Sequence, residues 1–312
     1  MTLHKFFDYL AGLSAVKRIF ANLHQYISMK YLLSLFLFLF IGSSSGVAQS
    51  QADSALLLDK TAWHAIALLP DGAHVSQALF PSLCGNPQAL SVIEVPANAT
   101  RNLHIVASVA PESAHDVARR QGAIAAINGS YFDMTEGNSV CFQKIGAHTT
   151  DSTSMKGIAN GAILCGTLSG PLAITAWDYE KERNYADTLG QVLVTGPLLV
   201  IDGNRLAPEN VCPKAFALRT HPRTAIGLRA DGSAVLLTAD GRHPEHAIGL
   251  TLPQLAWIMQ MLGCTDAINL DGGGSTCMWI EPGGVVNHPS DNRAFDHLGV
   301  RPVPNVIALF PD

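Results

Sequence analysis

A run of three glycines behind an acidic residue is the feature that most constrains the fold of this chain. Residues 269–276 have the sequence N-L-D-G-G-G-S-T and continue an apolar, strand-like run that begins at residue 267. Consecutive glycines lose much backbone entropy on folding, so such a loop serves a close backbone approach or a positive φ angle. The segment predicts a substrate-binding loop with Asp271 at its edge, and a plain tight turn between two strands is the alternative.

The residues after the glycines exclude the common nucleotide-binding loops. A P-loop needs a lysine followed by a helix, and a dinucleotide-binding loop also opens a helix. Here S-T-C-M-W-I follows over residues 275–280 and ends at the turn E-P-G-G, so the loop joins strand to strand. An anion is predicted to bind the amides and hydroxyls of this loop, supplied by Gly272, Gly273, Gly274, Ser275 and Thr276.

The N-terminal segment has the order of a secretory signal. Met29 and Lys30 precede an apolar run over residues 31–41, and small residues then lead to Ala48. This order predicts cleavage after Ala48, and the apolar run is shorter than the roughly 20 residues of a membrane-spanning helix. We expect residues 1–48 to be a signal segment, with Met29 as an alternative start, and the protein to be exported to the periplasm or the extracellular space.

Charge and composition limit the partners and the domain count. Residues 1–48 hold four of the 20 basic and one of the 25 acidic residues, which leaves 16 basic against 24 acidic residues and a net charge of -8. This balance argues against nucleic acid or an anionic membrane as a partner. No linker or repeat interrupts the rest of the chain. We expect one domain over residues 92–312, preceded by an extension over residues 49–91 with no assigned role; the oligomeric state is left open.

The order of elements predicts an α+β fold, a mixed and mainly β-sheet single domain with a few packed helices. One helix is expected over residues 114–121 after the cap Ser113, and a second from the cap Thr251 to residue 262. The apolar run over residues 123–127 predicts a strand buried on both faces. Further strands are predicted over residues 92–96, 104–109, 162–164, 172–177, 191–201, 224–228, 234–240 and 305–310.

The cysteines all lie beyond the signal segment. In an exported protein their even number predicts up to three disulfides. Cys264 and Cys277 flank the glycine loop and form one candidate pair. No C-x-x-C spacing occurs, so zinc bound through cysteine is not expected. The six residues are Cys84, Cys141, Cys165, Cys212, Cys264 and Cys277.

Several histidines lie near the predicted site along the sequence. Neither an H-x-H nor an H-E-x-x-H spacing occurs, and a proline separates His243 from His246, so we predict no metal ligand and no cofactor. His221 and His243 are instead candidates for an acid–base histidine. The complete group is His221, His243, His246, His288 and His297.

Four short motifs occur in order along the chain. They are A-I-N-G-S-Y-F at residues 126–132, P-R-T-A-I-G at 222–227, T-A-D-G-R at 238–242 and the glycine loop at 269–276. Together they resemble the phosphodiester glycosidase family over residues 92–312, and residues 287–291 and 301–305 also look like that family's C-terminal stretch. The resemblance implies hydrolysis of a sugar-1-phosphodiester, of the N-acetylglucosamine-1-phosphodiester type, to free sugar and a phosphomonoester.

The resemblance also implies roles for charged residues. Asp271 is expected to be the base or nucleophile at the anomeric carbon, or to hold a sugar hydroxyl, and Asp240 is the second carboxylate. Arg223 and Arg242 are expected to clasp the phosphate, because a guanidinium binds it in a bidentate fork. The alternative is that each arginine pairs with an acid; Asp240 is a candidate partner of Arg242.

The motif at residues 126–132 is expected to contact the sugar. Asn128 and Gly129 are predicted substrate-binding residues, or else a structural turn, and Tyr131 and Phe132 either stack on a sugar face or pack in the core. Two other functions stay open. One is a non-catalytic carbohydrate-binding protein on the same scaffold, and the other is a metal-dependent phosphodiesterase.

Overall fold

Three antiparallel sheets form the body of the protein in a computed structural model, which describes residues 50–312 apart from positions 147, 156, 168, 169 and 186–189. The described residues belong to one unit, Gln49–Asp312. The predicted signal segment lies outside them. Across the described ranges, no helix has the length and apolar character needed to cross a membrane.

The described elements alternate between long β stretches and short helices. The α-helices are α1 (Gln51–Leu58), α2 (Ala114–Arg120), α3 (Tyr179–Asn184), α4 (Lys214–Leu218) and α5 (Leu252–Met261), with 3-10 turns at Lys60–Ala62, Ala97–Asn102, Pro208–Asn210 and Gly273–Ser275. The strands are β1 (Trp63–Leu68), β2 (His74–Leu83), β3 (Asn86–Val95), β4 (Leu103–Glu112), β5 (Ala125–Asn128), β6 (Gln143–Ile145), β7 (His148–Asp151), β8 (Gly161–Thr167), β9 (Gly170–Ala176), β10 (Gln191–Thr195), β11 (Leu198–Ile201), β12 (Asn204–Arg205), β13 (Arg223–Arg229), β14 (Ala234–Ala239), β15 (Cys264–Asn269), β16 (Met278–Ile280), β17 (Gly284–Val285) and β18 (Val303–Leu309).

The sheet topology confirms a mainly β α+β domain but differs from the prediction in one respect. The strand orders are β1-β2-β3-β14-β13-β15-β11-β12, β7-β6-β10-β8-β9 and β17-β16-β5-β18-β4. We expected a mixed sheet, yet every described strand pair is antiparallel. The two helical crossovers, through α2 and α5, return the chain in the same direction, but β18 and β13 then lie between the strands that each crossover joins.

The folded unit begins before residue 92, which corrects the predicted extension over residues 49–91. β2 pairs with β3 along most of its length and β1 pairs with β2, so this segment completes one side of the large sheet. Leu57 of α1 and Phe80 of β2 are both buried in the core. An unpaired β3 would expose a row of backbone donors and acceptors, so its pairing with β2 has a clear physical reason.

The single strand predicted over residues 191–201 is in fact two. β10 lies in the sheet with β6 and β8, whereas β11 pairs with β15 in the large sheet. Gly196 and Pro197 separate them, and the Gly196 carbonyl accepts hydrogen bonds from Tyr131 and Asn269. This junction therefore ties two sheets together behind the glycine loop.

The core lies where the sheets meet and continues on the outer face of the large sheet. β14 is buried along its whole length because its two faces pack against different layers. Leu236 packs with Ile127 and Ile307 of the neighbouring sheet, while Leu237 packs with Leu255 of α5. Each such side chain contributes roughly 1.5–3 kcal/mol by leaving water.

The predicted helix after Thr251 is confirmed as α5. Thr251 Oγ1 accepts from the Gln254 amide at 3.3 Å, and Gln254 Oε1 accepts from the Thr251 amide at 2.9 Å. This reciprocal pair satisfies two amides at the helix start that have no partner within the helix. The helix then packs on the large sheet and leads directly into β15, which ends at the glycine loop.

The predicted disulfides are absent from the structure. All six cysteines have free thiols. Cys264 packs beside α5, whereas Cys277 packs in the cluster with α2, so the two thiols flanking the glycine loop occupy different parts of the core.

Candidate active site

The glycine loop, the loop after β14 and the segment before β13 leave the large sheet at one end. This follows from antiparallel register, because Ala239 at the end of β14 faces Arg223 at the start of β13, and Asn269 at the end of β15 faces Ala225. β5 of the neighbouring sheet also ends here, since the Asp271 amide donates to the Gly129 carbonyl at 3.0 Å. The structure thus brings together all four sequence motifs.

Asp271 is a partly buried residue with an enclosed carboxyl group. Burial raises the pKa of this carboxyl to about 6, against the opposing effects of nearby donors and of the Arg301 and Arg223 charges. Oδ1 accepts from the Gly272 amide at 2.8 Å. The Ser275 hydroxyl also lies close enough to lower the pKa, although it does not reach hydrogen-bonding geometry. A carboxyl with this pKa exchanges protons readily near neutral pH.

The glycines allow two arginines to approach the backbone. A Cβ on Gly273 would lie 2.7 Å from Nη2 of Arg242, and Gly273 has a φ of +62°. A Cβ on Gly274 would collide with Arg301 and with Asp291, whose carboxylate accepts from Arg301 Nε at 3.0 Å. The close backbone approach predicted for this loop is therefore an approach by arginine side chains.

Most amides of the glycine loop donate to other groups of the protein, which leaves fewer donors for the predicted anion-binding set. The Gly272 amide donates to Asp271, and the Gly273 amide donates to the Pro222 carbonyl at 2.8 Å. The amides of Ser275 and Thr276 donate to Gly272 and Gly273 carbonyls within the 3-10 turn. The tight turn thus uses four of the five loop amides, and the two buried hydroxyls have no hydrogen-bond partner among the described residues.

Asn128 holds the glycine loop through internal hydrogen bonds. The residue is fully buried. Its Nδ2 donates to the Asp271 carbonyl at 2.7 Å, and its Oδ1 accepts from Thr224 Oγ1 at 2.7 Å and from the Cys277 amide at 3.1 Å. Gly129 packs against Asn305, where a Cβ has no room. These contacts favour the structural alternative for both residues over contact with substrate.

Arg223 is likewise an internal residue. It is 3% exposed, and it donates to three backbone carbonyls, those of Leu250, Phe216 and Arg219, at 2.9 to 3.0 Å. Burial lowers the pKa of its guanidinium to about 10. Because Nε and Nη2 are both used by carbonyls, Arg223 braces the segment before β13 and cannot offer that edge of its guanidinium to a phosphate as predicted.

Arg242 is exposed and reaches the glycine loop. Its Nη1 lies 3.4 Å from Ser290 Oγ. Burial together with the charges of Arg301 and Arg219 lowers the pKa of Arg242. Within the described residues, neither Arg242 nor the exposed Arg219 forms an ion pair, whereas five other arginines do, namely Arg101, Arg119, Arg120, Arg229 and Arg301. The pairing of Arg242 with Asp240, which the sequence allowed, does not occur.

Asp240 pairs instead with a histidine. The residue is 1% exposed; its Oδ2 lies 2.8 Å from His288 Nδ1, and its Oδ1 accepts from the Asn287 side chain at 2.9 Å and the His288 amide at 3.0 Å. The two carboxylates thus have different partners, the His288 ring for Asp240 and the Gly272 amide for Asp271.

The other predicted residues are two histidines with lowered pKa values and two aromatic side chains that pack in the core. Burial and three arginine charges lower the pKa of His221 to about 4, and burial lowers the pKa of His243. Neither is therefore a strong candidate for a proton donor at neutral pH. Tyr131 is buried and bonded to Asn269, and Phe132 packs against the cluster with α2. No set of three or more His, Cys, Asp or Glu residues in the described ranges is arranged to hold a metal ion.

Sequence reasoning assigned no role to Arg219, Arg301 or His288, although His288 was among the histidines noted near the predicted site. Arg219 starts the segment R-T-H-P-R, which places three basic side chains within five residues and was a usable signal. His288 and Arg301 lie in the two C-terminal stretches that resembled the family, but no local pattern there identified their partners. Asp240 precedes His288 by 48 residues.

The chain belongs to the phosphodiester glycosidase family, whose model matches residues 121–310, more than half of its length. It is similar to the N-acetylglucosamine-1-phosphodiester alpha-N-acetylglucosaminidase of Bos taurus, with 27% identity over 192 residues, which are 57% of this chain and 34% of that protein. The Mus musculus protein of the same name is 27% identical over 189 residues, 57% of this chain and 35% of that protein. The chain thus spans about a third of the length of these relatives.

Two solved structures share the fold. The catalytic domain of zebrafish N-acetylglucosamine-1-phosphodiester alpha-N-acetylglucosaminidase, auto-inhibited by its pro-peptide, superposes with a TM-score of 0.59 and 17% identity, covering 80% of this chain and 82% of that chain. A hypothetical protein from Synechocystis gives a TM-score of 0.58 and 16% identity, covering 80% and 64%. At these identities the likeness establishes the architecture alone.

Proposed function

We propose that the protein hydrolyses a sugar-1-phosphodiester to free sugar and a phosphomonoester at the edge of the Asp271 loop. One observation carries the proposal. A carboxyl with a pKa of about 6 lies within electrostatic reach of Arg242, and neither Arg242 nor the neighbouring Arg219 forms an ion pair among the described residues. A base beside uncompensated cations suits a reaction in which water attacks carbon and a phosphate departs.

Asp271 acts as the general base in this scheme. At neutral pH a carboxyl with a pKa of about 6 is mostly ionised, yet it is basic enough to take a proton from attacking water. The bond from the anomeric carbon to oxygen breaks, and the water oxygen takes its place. The anionic phosphate is a good leaving group, so the main electrostatic demand is for cations that stabilise it.

Arg242 and Arg219 supply that charge. Arg242 is anchored beside Gly273, so its guanidinium approaches the loop that presents Asp271. Arg219 lies near enough to lower the pKa of Arg242 and of His221, which indicates that a common region of positive potential covers these side chains. An anion bound there would relieve the repulsion between the arginines.

N-acetylglucosamine is the first sugar to test. The family membership supports a phosphodiester-linked sugar, and the names of the bovine and murine relatives specify N-acetylglucosamine-1-phosphodiester.

We further propose export after removal of residues 1–48, on the charged, apolar and small-residue order of that segment. Mass spectrometry of the secreted protein is expected to find an N-terminus at Gln49; an intact residue 1–48 segment would contradict this step.

The substrate proposal is tested with purified protein and a panel of α- and β-linked sugar-1-phosphodiesters in water enriched in oxygen-18. The expected result is release of a phosphomonoester with the label in the sugar, because the carbon–oxygen bond breaks. Label in the phosphate would identify a phosphodiesterase instead. Saturable binding of the sugar without any product would identify a carbohydrate-binding protein.

A further inference from the structure

We propose that His288, oriented by Asp240, is the general acid that protonates the departing phosphate. This role rests on the proposed hydrolysis and adds a proton donor to it. The sequence offered His221 and His243 for acid–base work, but only His288 has a buried carboxylate on its ring nitrogen among the described residues.

Asp240 fixes the orientation of the imidazole. Its Oδ2 lies 2.8 Å from Nδ1 of His288, while its Oδ1 accepts from the backbone amide of the same residue at 3.0 Å. One carboxylate therefore holds both the ring and the backbone of His288. A carboxylate at Nδ1 assigns the Nδ1–H bond to Asp240 and leaves Nε2 as the atom that exchanges a proton with a ligand. The arrangement has the logic of the acid–histidine pair in serine hydrolases.

Stacking against two neighbouring rings fixes the plane of the His288 imidazole. The His288 ring stacks on Phe295 at 3.8 Å with an angle of 10° between the planes, and His297 stacks at 4.7 Å. His297 Nδ1 is itself within 2.8 Å of the Asn287 carbonyl. Packing alone does not explain a buried carboxylate, because removing a charge from water is costly unless it is paired. The contact with His288 gives the buried carboxylate a partner and fixes the orientation of the ring.

The pair is joined to the proposed site on two sides. Asn287 Nδ2 donates both to Asp240 and to the Thr276 carbonyl at 3.2 Å, which connects the pair to the end of the glycine loop. Ser290, two residues after His288, contacts Arg242. His288 therefore lies two residues from a side chain that touches the proposed phosphate-binding arginine.

Proton transfer then balances across the reaction. Water forms its bond to the anomeric carbon and gives a proton to Asp271, the bond from that carbon to the phosphate oxygen breaks with its electron pair on oxygen, and His288 gives that oxygen a proton. Solvent returns a proton to His288 and removes one from Asp271. The titratable groups facing His288 are Asp240, His297 and, through the shared cluster around Phe295, His243 and His246.

The test compares His288→Gln with the matched control His246→Gln, which alters the histidine on Phe295 at 4.5 Å that lacks a carboxylate hydrogen bond among the described residues. With sugar phosphodiester as substrate, H288Q is expected to lower kcat about 100-fold, to change KM by less than about threefold, and to abolish the alkaline limb of the pH–rate profile. H246Q is expected to keep the wild-type kcat, KM and pH–rate profile. Added imidazole should restore part of the kcat of His288→Ala, which a purely structural role would not allow.

Asp240→Asn tests the positioning role separately. It is expected to lower kcat more than it raises KM, since an amide no longer fixes the tautomer and orientation of the His288 ring. If H288Q retains wild-type kcat across the pH range, or if imidazole fails to rescue a folded H288A, the role of His288 is overturned while the hydrolase proposal stands. A wild-type protein that hydrolyses no sugar phosphodiester would overturn the hydrolase proposal and this role together.

Discussion

The guanidinium of Arg242 occupies the space that a side chain on Gly273 would need. A Cβ at Gly273 would lie 2.7 Å from Nη2 and 3.5 Å from Cζ of Arg242. The absence of a side chain at Gly273 therefore makes room for the Arg242 guanidinium. In this way the glycine loop determines where the arginine of the T-A-D-G-R motif lies. The position of Arg242 can therefore be tested by changing Gly273 alone, without changing any charged residue.

Replacement of Gly273 by alanine is expected to displace Arg242. Gly203 offers a matched control, because it has a φ of +74° against +62° at Gly273 but no neighbouring atom within 4 Å of the position that a Cβ would take. Both Gly→Ala changes should cost about 1 kcal/mol of stability through backbone strain. Only G273A should also raise KM for the phosphodiester, by about tenfold, through loss of an arginine contact to the anion. Equal KM values for the two variants would separate Gly273 from substrate binding.

Asp271→Asn keeps the shape of the side chain and removes its charge. If Asp271 is the base, turnover should fall by about 100-fold or more while substrate still binds. Asp266→Asn on β15, the strand that leads into the glycine loop, is the control, since its carboxylate accepts from the Asp202 amide and Thr265 away from the loop. Near-normal turnover of D271N would remove Asp271 from the chemistry.

The same substitution should raise stability above neutral pH. The folded pKa of Asp271 is about 6, above the ordinary value of 3.8, so the folded state disfavours its ionisation. The stabilisation that follows from this shift is complete below pH 3.8 and is lost as the pH rises through 6. D271N escapes this loss and is expected to be about 3 kcal/mol more stable than wild type at pH 8, with little difference at about pH 3.5. Denaturant unfolding at both pH values measures this difference, and equal stability at pH 8 would contradict the raised pKa.

The arginines should differ in what they recognise. Arg242→Ala and Arg219→Ala are expected to weaken binding of the phosphodiester about tenfold or more, with little effect on the free sugar, because only the phosphodiester is anionic. Arg242→Lys keeps the charge but loses the fork, so a smaller loss is expected. Arg101→Ala, which alters an exposed pair with Asp312, is the control. Calorimetry measures the affinity of each variant for the free sugar and for the phosphodiester. Equal losses of affinity for the two ligands would indicate that Arg242 and Arg219 have a structural role.

The buried thiols should resist alkylation in the native protein. Burial raises the pKa of Cys165 and of Cys277 to about 12, so their reactive thiolate forms are rare. Iodoacetamide is expected to spare both until the protein unfolds, and then to label all six cysteines without a reductant. Mass spectrometry that finds fewer than six labelled cysteines after unfolding would reveal disulfides, as the cysteine count alone had suggested.

Local sequence patterns determined the elements that carry the site. The apolar run before residue 128 and the capped helix after Thr251 were recognisable because burial on both faces and helix capping leave marks within a few residues. The position of Asp271 between a strand and three glycines was equally local. The strands β1 and β2 escaped prediction because each is only partly buried, so their apolar alternation is weak.

Only the tertiary structure decided which partner each polar side chain has. Asn128 bonds Thr224 across 96 residues and the Asp271 carbonyl across 143 residues. These bonds favour a structural role for a residue that the sequence predicted to bind the sugar. Arg223 and Arg242 look alike in sequence, yet one is enclosed by carbonyls and the other is exposed beside Gly273. A hydrogen bond depends on angstrom-scale placement of both groups, and that placement follows from how distant strands pair rather than from either residue's neighbours in the chain.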